Sequence, residues 1–517
     1  MQVHDVDLAG GRERCARAGA LIGYDELAGQ PIAGEDRSDG VEQHLRPVAR
    51  RDDKRDRRTQ DPPIVALGAL AFWDDPAIGL QSSASIPRAR APAAIAGADK
   101  PLIGGAPPSH GRRLAGIEGL RALAATSIVV YHVWLYSSPD GARVEPGLLD
   151  RVLPDLQFGV TLFFALSGFL LYRVFAASML RAEPAPSVRG YLRNRALRII
   201  PAYWVILLLS ALVLQSVLVR DAAGLRTGAG FDGDLLLRNL LFVQNYDPDT
   251  LATGIGPAWT LCVEVVFYLL LPLLALAAWS LARRADSRAV RRRIALLPAA
   301  LLLAVGLSGK AAALWLVPPV APHEGFLGDW HSVLARSFWC QADLFAFGMV
   351  VAVARIDWED GLLALPRGWR PLALSAALAG YLLTARATGF GEQLSYSPYN
   401  TLMALVCALL VALVVLPSPQ ARRPPLPMRL LESRALVFAG VVSYSLFLWH
   451  EPLVRFMRDH GLTFGGTAGL VANVVVVGAV AVLLSALTYR FVERTALRWK
   501  WRPAVVAASS PRPRILP

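Results

Sequence analysis

From Gly116 onward, apolar segments of about 17–25 residues, the length of a membrane-spanning helix, follow one another almost to the end of the chain. Lipid cannot satisfy backbone polar groups, so a chain crosses it only as helices or as a closed barrel. We therefore predict an all-α fold, a polytopic transmembrane bundle of about ten helices. The predicted spans are 117–136, 156–178, 199–219, 257–280, 294–317, 332–354, 371–386, 397–416, 435–457 and 467–489.

The composition agrees with an integral membrane protein. Hydrophobic residues make up 54% of the 517 residues, which is more than one soluble core can bury. The formal net charge is +13, but the basic residues lie between apolar segments. Membrane topology therefore explains them better than nucleic-acid binding does. The expected partner is the lipid bilayer. The spacing of the four cysteines fits neither a metal site nor a disulfide framework.

The regions that flank the apolar segments are hydrophilic. Residues 1–115 are charged and rich in Pro, Gly and Arg, which is typical of a disordered cytoplasmic extension. The chain has no methionine between Met1 and Met179, so the extension could instead lie upstream of a non-Met start codon and not be translated. Residues 116–494 form the predicted membrane domain, and 495–517 a basic cytoplasmic tail. The amphipathic segment 234–246 is too short to cross and fits the membrane interface.

The number of arginines and lysines alternates between high and low in successive loops that connect the spans. Every second loop, starting with 179–198 and 281–293 and ending with the tail, belongs to a set that holds 23 of these residues. The loops between them hold 7. Positively charged loops remain in the cytoplasm. We therefore predict a multi-pass protein of the inner (plasma) membrane with both termini in the cytoplasm.

Ionisable residues inside an apolar segment are costly and indicate function by default. The first span carries Arg121 near its inner end and His132 toward its outer end. Eleven residues amount to three turns and roughly 20°, so both side chains share a helix face about 16 Å apart along the axis. The structural alternatives are an Arg121 that extends to the inner headgroups and a His132 that only bonds within the bundle.

Two further ionisable residues reach the depth of His132 in the outer half of the membrane. Glu264 lies in the fourth span and His450 in the ninth, each about seven residues below the outer end. A neutral His132 could act as general base, with Glu264 as its orienting partner. His450 is a rival for the role of base, a substrate contact, or a structural hydrogen-bonding group.

The inner side instead carries a group of arginines. Arg173 ends the second span, and Arg193, Arg195 and Arg198 lead into the third. The planar guanidinium suits phosphate, although arginines here could also serve topology alone. A donor with phosphates at one end and a reactive group at the end of a long arm would bridge the arginines and the histidines. Coenzyme A has that shape.

Five segments in order resemble the acyltransferase family 3 of integral membrane acyltransferases. They are GIEGLRALAATSIVVYH, GVTLFFALSGFLLYR, RALRIIPAYW, PAWTLCVEVVFY and VSYSLFLWHEP, spread over residues 116–494. The resemblance implies transfer of a short acyl group from cytoplasmic acyl-CoA, a co-substrate rather than a bound cofactor, to a hydroxyl. It implies His132 as the catalytic residue and the arginines, Arg121, Arg173, Arg195 and Arg198, as donor-binding residues. From their depth in the membrane we add Glu264 as a second catalytic residue and His450 as a substrate-binding residue. Glu118 stands where the family commonly has Asp.

Two other classes of function compete with this reading. A carrier or flippase would also place polar residues in the membrane, but it does not need the spacing of Arg121 and His132. A non-catalytic scaffold would leave His132 unexplained. The acceptor is either a cell-envelope polysaccharide or a glycosylated secondary metabolite. The chain ends soon after the last span, so we expect no appended hydrolase-like domain, which favours the smaller acceptor.

Overall fold

In a computed structural model of the protein, the described residues are 114–137, 152–221, 224–228, 230–317, 328–387, 398–416 and 425–500. The predicted extension, Cys15 and most of the basic tail lie outside them. The helices are α1 Ile117–Tyr136, α2 Phe158–Leu180, α3 Val188–Leu208, α4 Gly233–Leu240, α5 Trp259–Ala282, α6 Arg288–Trp315, α7 Trp330–Ala335, α8 Phe338–Gln341, α9 Asp343–Glu359, α10 Trp369–Ala387, α11 Pro398–Val415, α12 Leu426–Leu431, α13 Arg434–Val441, α14 Ser443–Asp459, α15 Gly466–Thr488 and α16 Arg494–Leu497.

The prediction of an all-α membrane bundle is confirmed, because every predicted span overlaps one or more helices. Among the described residues, five helices with their adjoining turns are long and apolar enough to cross a membrane. A bent pair of helices makes a sixth if it is counted as one span. The number of ten crossings stays a prediction. The three cysteines of the apolar segments are buried, as expected of small apolar side chains.

Three spans differ from their predicted form. The span predicted over 332–354 is broken into α7, α8 and α9, and the span over 435–457 bends by 74° between α13 and α14. The third predicted span, 199–219, ends early, since α3 passes into a π-helical turn and its last residues form strand β1 Leu218–Asp221. Hydropathy does not detect such breaks, because the residues at each break are as apolar as those of a continuous helix.

Between α3 and α5 the chain forms a folded segment, residues 214–258. Strand β1 pairs antiparallel with β2 Gly224–Thr227, and the short amphipathic helix α4 follows. The segment is held by side-chain bonds to the bundle: the Asn245 amide donates to the Trp259 carbonyl at 2.9 Å, and the Tyr203 hydroxyl donates to the Asn239 carbonyl at 3.1 Å.

Helices α2 and α9 cross at unusually close range because each offers a glycine to the other. A β-carbon on Gly168 would collide with the carbonyl oxygen of Phe345, and one on Gly348 would collide with that of Ala165. Small residues at such crossings let two backbones meet, which increases the van der Waals contact that holds membrane helices together. This crossing fixes α2, which carries one wall of the site described next.

Candidate active site

A pocket opens between α1, α2, α3, α5 and α14. Its empty volume is about 790 Å³, including the space continuous with solvent. Its polar lining consists of Arg121, Ser167, Arg195, Arg198, Thr260, Glu264, Tyr268, Ser443 and Tyr444. Aliphatic and phenylalanine side chains of α2 and α14 complete the wall. Three of the arginines predicted from the sequence therefore line one pocket.

The bend between α13 and α14 places a polar group opposite Arg121. Ser443 is the first residue of α14, and its hydroxyl oxygen accepts a hydrogen bond from Arg121 Nε at 3.2 Å. The terminal nitrogens of the guanidinium thereby stay available to the pocket. Sequence analysis missed Ser443, because a serine in an apolar segment is common.

Arg195 and Arg198 line the same pocket but differ in their partners. Arg198 forms an ion pair with the buried Glu493 at 2.6 Å, and Glu493 also accepts a bond from the Ser445 hydroxyl. Arg195 makes no hydrogen bond or ion pair within the described residues. Lys500 lies near both arginines: partial desolvation, and then the positive charges of Arg195 and Arg198, lower the pKa of Lys500 to about 8. Arg195, Arg198 and Lys500 outnumber the Glu493 carboxylate, so this end of the pocket carries a net positive charge.

Glu264 lies among the arginines. Its carboxylate accepts from the Ser167 hydroxyl at 3.0 Å and from the Tyr268 hydroxyl at 2.7 Å, and it interacts electrostatically with Arg121 and Arg195. No hydrogen bond within the described residues joins it to His132. Sequence reasoning located Glu264 by depth alone, and depth does not reveal which way a side chain points.

His132 and His450 form a hydrogen-bonded pair beyond the pocket. His450 Nε2 lies 2.9 Å from His132 Nδ1, and the two ring centroids are 4.9 Å apart. His450 Nδ1 faces the Leu446 carbonyl at 3.2 Å, and His132 Nδ1 also faces the Ile128 carbonyl at 3.1 Å. A carbonyl only accepts, so a neutral His450 carries its proton on Nδ1 and presents Nε2 as an acceptor.

That arrangement fixes the tautomer of the partner ring. Since both neighbours of His132 Nδ1 are acceptors, the proton of a neutral His132 resides on Nδ1. Its Nε2 then holds a free lone pair, and within the described residues Nε2 makes no hydrogen bond. A histidine held in this tautomer can accept a proton from a substrate.

An ion pair borders the histidine pair on its other side. Glu451 pairs with Arg455 on the next turn of α14 and accepts from the backbone N–H of Gly256 at 3.1 Å. The Arg455 guanidinium lies 3.9 Å from the centroid of the Tyr136 ring, and that ring stacks on His132 at 5.7 Å. Sequence analysis missed Arg455 and Tyr136, although the Glu451/Arg455 spacing of four residues is a detectable helix pair.

Arg173 and Arg193 do not line the pocket. Arg173 pairs with Glu359 at 2.8 Å, within a group of ion pairs at the end of α9 that also includes Arg181, Arg288 and Asp360. Arg193 is exposed. The cluster predicted from the sequence is thus divided between a pocket and a helix-to-helix contact.

A second charged group inside the bundle was not singled out from the sequence. Lys310 of α6 and Asp343 of α9 form an ion pair at 2.5 Å, and both are almost fully buried. The Thr401 hydroxyl also donates to Asp343. The pair lies apart from the pocket and joins α6, α9 and α11. In the sequence, this ion pair was indicated by a single lysine and a single aspartate, each within a predicted apolar segment.

Comparison with known proteins agrees with the five motifs. A family model described as an acyltransferase domain matches residues 114–490. BcsY of Komagataeibacter xylinus, named as a membrane-bound transacylase, is 26% identical over 77% of this chain and 86% of its own length. The acyltransferase MdmB of Streptomyces mycarofaciens is 27% identical over 77% of this chain and 95% of its own.

A third relative is longer than this chain. The peptidoglycan O-acetyltransferase OatA of Listeria monocytogenes is 23% identical over 73% of this chain but only 54% of its own length. No solved structure matches. The similarity covers the helices that carry the arginine-lined pocket and the histidine pair.

Proposed function

Because the chain belongs to the acyltransferase family whose model matches residues 114–490, we propose which acyl transfer it performs. It is a multi-pass O-acyltransferase of the inner (plasma) membrane, with both termini in the cytoplasm. It moves acetyl or another short acyl group from cytoplasmic acyl-CoA to a hydroxyl of a glycan or a glycosylated small molecule.

The donor assignment rests on charge and shape. Arg121, Arg195 and Arg198 meet in one pocket, and guanidinium groups bind phosphate oxygens with paired, charge-assisted hydrogen bonds. Within the described residues Arg195 makes no hydrogen bond or ion pair to a carboxylate, so its N–H groups keep their bonding capacity for a ligand. Glu264 would repel phosphate, so we assign it to the arm of the donor, where an amide N–H or hydroxyl can donate to it.

The reaction assigned to His132 is general-base catalysis. The acceptor hydroxyl gives its proton to His132 Nε2 while its oxygen attacks the carbonyl carbon of the thioester. A C–O bond forms and the C–S bond breaks. The departing CoA thiolate takes up the proton, so the products are an ester and free CoA. His450 holds the tautomer of His132, and Arg455 with Tyr136 borders the side from which an acceptor would approach.

The acceptor class is a carbohydrate hydroxyl. The name of the Listeria monocytogenes relative gives peptidoglycan as the acceptor of that protein, which supports an envelope glycan. A small glycosylated molecule, the alternative that the family resemblance leaves open, stays the second candidate. Identification of the ester-bearing product from cells with and without the gene separates the two.

One observation carries the proposal: His132, held in one tautomer by His450 and Ile128, presents an unbonded Nε2. The test uses the purified full chain in nanodiscs with [¹⁴C]acetyl-CoA and membrane glycan extract. We expect ester-linked label that mild base releases, and none with the His132→Ala variant of equal thermal stability. Label transfer by that variant at the rate of the unaltered protein would refute the assignment of the base.

A further inference from the structure

Along α14, an aromatic side chain lies between the residues that contact the pocket arginines and the histidine pair. Along α14, Ser443 contacts Arg121, Phe447 follows one turn later, and His450 three residues after that. At a rise of 1.5 Å per residue, Phe447 lies about 6 Å beyond Ser443 and about 4.5 Å before His450. Phe447 lines the pocket, and its ring centroid is 5.9 Å from that of His450.

A second ring supports Phe447. Phe163 of α2 also lines the pocket, and it meets Phe447 edge-to-face with ring centroids 5.8 Å apart. Edge-to-face packing of this kind restricts the rotation of both rings. Neither His132 nor His450 lines the pocket. On α14, Phe447 is thus the residue of the pocket wall that comes nearest to the histidine pair.

We propose that Phe447, braced by Phe163, is the specificity-determining residue that limits the acyl group to a short chain. The inference rests on the proposed donor: with CoA phosphates on the arginines, the acyl group leads and meets Phe447 first. The thioester reaches His132 only with an acyl group that fits between this ring and the histidine pair. Each additional methylene then meets the ring, and a pocket can discriminate one methylene by about 10-fold or more.

The test measures binding, so it does not depend on the acceptor. The purified full chain in nanodiscs is titrated with CoA, acetyl-CoA and hexanoyl-CoA, and empty nanodiscs are the blank. We expect the protein to bind acetyl-CoA at least about tenfold more tightly than hexanoyl-CoA. In Phe447→Ala the ratio should fall to about threefold or less, chiefly because hexanoyl-CoA binds better. Phe163→Ala should lie between them.

Two variants keep the test decisive. Phe169→Ala is the matched control: Phe169 is buried on the same helix as Phe163 but does not line the pocket, so its loss should lower the unfolding temperature and leave the ratio unchanged. Phe447→Leu serves if Phe447→Ala does not fold, and it should shift the ratio in the same direction by a smaller factor.

The outcomes separate the inference from the function on which it rests. Equal affinity for acetyl-CoA and hexanoyl-CoA in the unaltered protein would overturn the inference while the donor stands. So would a ratio that Phe447→Ala and Phe163→Ala leave unchanged while CoA itself still binds. Absence of binding for CoA and both thioesters would refute the proposed donor, and the inference with it.

Discussion

At the scale of single residues, the candidate site has two parts, one at each end of α1. Arg121 serves a pocket of cationic groups, and His132, eleven residues further on, belongs to a hydrogen-bonded pair with His450. The i−4 carbonyls of two helices fix the ring nitrogens. A base needs the right tautomer as much as the right position, and the backbone here supplies it.

The two histidines should therefore respond differently to substitution. His132→Ala removes the proposed base and should lower turnover by about 10²–10⁴-fold. His450→Ala should cost about tenfold or less, because the Ile128 carbonyl still accepts from His132 Nδ1 and only one hydrogen bond is lost. Turnover of the purified variants with acetyl-CoA is the measurement. His460→Ala is the control, since His460 has the same bond to its i−4 carbonyl but is exposed at the end of α14.

The reverse ranking would reassign the base. If His132→Ala keeps normal turnover and His450→Ala loses it, His450 is the proton acceptor and His132 its partner. Loss in both to the same degree means that the pair acts as one unit, which single substitutions do not rank.

The pocket arginines should separate donor binding from stability. Arg195→Ala should raise the KM for acyl-CoA about tenfold with little change in unfolding temperature, because a charge-assisted contact contributes roughly 1.5–3 kcal/mol. Arg198→Ala should also lower the unfolding temperature, since it leaves the buried Glu493 carboxylate without its ion pair. Adding Glu493→Gln should restore stability but not KM.

Arg173→Ala provides the comparison on the same side of the bundle. Its guanidinium pairs with Glu359 outside the pocket, so its KM for acyl-CoA should stay near that of the unaltered protein. A rise equal to that of Arg195→Ala would place Arg173 in the donor site after all.

Lys500 should make donor binding depend on pH. Its pKa is lowered to about 8 by partial desolvation and by Arg195 and Arg198. An anionic donor favours the protonated form, so affinity for acetyl-CoA should fall as pH rises from about 7 to about 9. Lys500→Arg should keep the affinity and abolish the pH trend, whereas Lys500→Ala should bind weakly at every pH. A trend that persists in Lys500→Arg would assign the titration to another group.

At the scale of elements, breaks and close crossings build the site. The bend between α13 and α14 brings Ser443 to Arg121, and irregular backbone of this kind occurs in membranes where protein or a cavity covers it. The crossing of α2 with α9 in turn positions Phe163 and Ser167. A regular bundle of straight helices would provide neither the Ser443–Arg121 contact nor the close approach of α2 to α9.

The α2–α9 crossing predicts a clear difference between glycines. Gly348→Ala should destabilise the protein by about 1–3 kcal/mol, because the new methyl collides with the Ala165 carbonyl oxygen. Gly478→Ala in α15 meets no atom within 4 Å, so it should be neutral or slightly stabilising, as alanine is the better helix former. Thermal unfolding of both variants in detergent provides the test, and equal unfolding temperatures would contradict the close crossing.

The sequence predicted the helices and three of the arginines that line the pocket. Hydropathy located the apolar helices, and the Arg121–His132 spacing identified the face of α1 that carries both residues, because both signals are local and periodic. Other contacts depend on how the helices are rotated about their axes relative to each other. These are the hydrogen bond between His132 and His450, the ion pair of Arg173 with Glu359, and the orientation of Glu264 toward the arginines. That rotation is set by contacts such as Gly168 with Phe345, which hydropathy does not encode.

At the scale of the whole molecule, the proposed function requires the pocket arginines to face the cytoplasm, where acyl-CoA is made available. The count of 23 against 7 basic residues in alternate loops predicts this orientation. Asp286, between α5 and α6, should then lie inside, and Asp232, just before α4, outside. Both side chains are exposed, so both positions accept a reporter.

Cysteine labelling tests that orientation. Cys262, Cys340 and Cys407 are buried, so in a Cys15→Ser background they should not react with a membrane-impermeant maleimide. Asp232→Cys should be labelled in intact spheroplasts, and Asp286→Cys only after permeabilisation. Labelling of both in intact spheroplasts would show that the α5 segment does not cross the bilayer. Labelling of Asp286→Cys alone would invert the protein, and the arginine-lined pocket would then open on the side that lacks acyl-CoA.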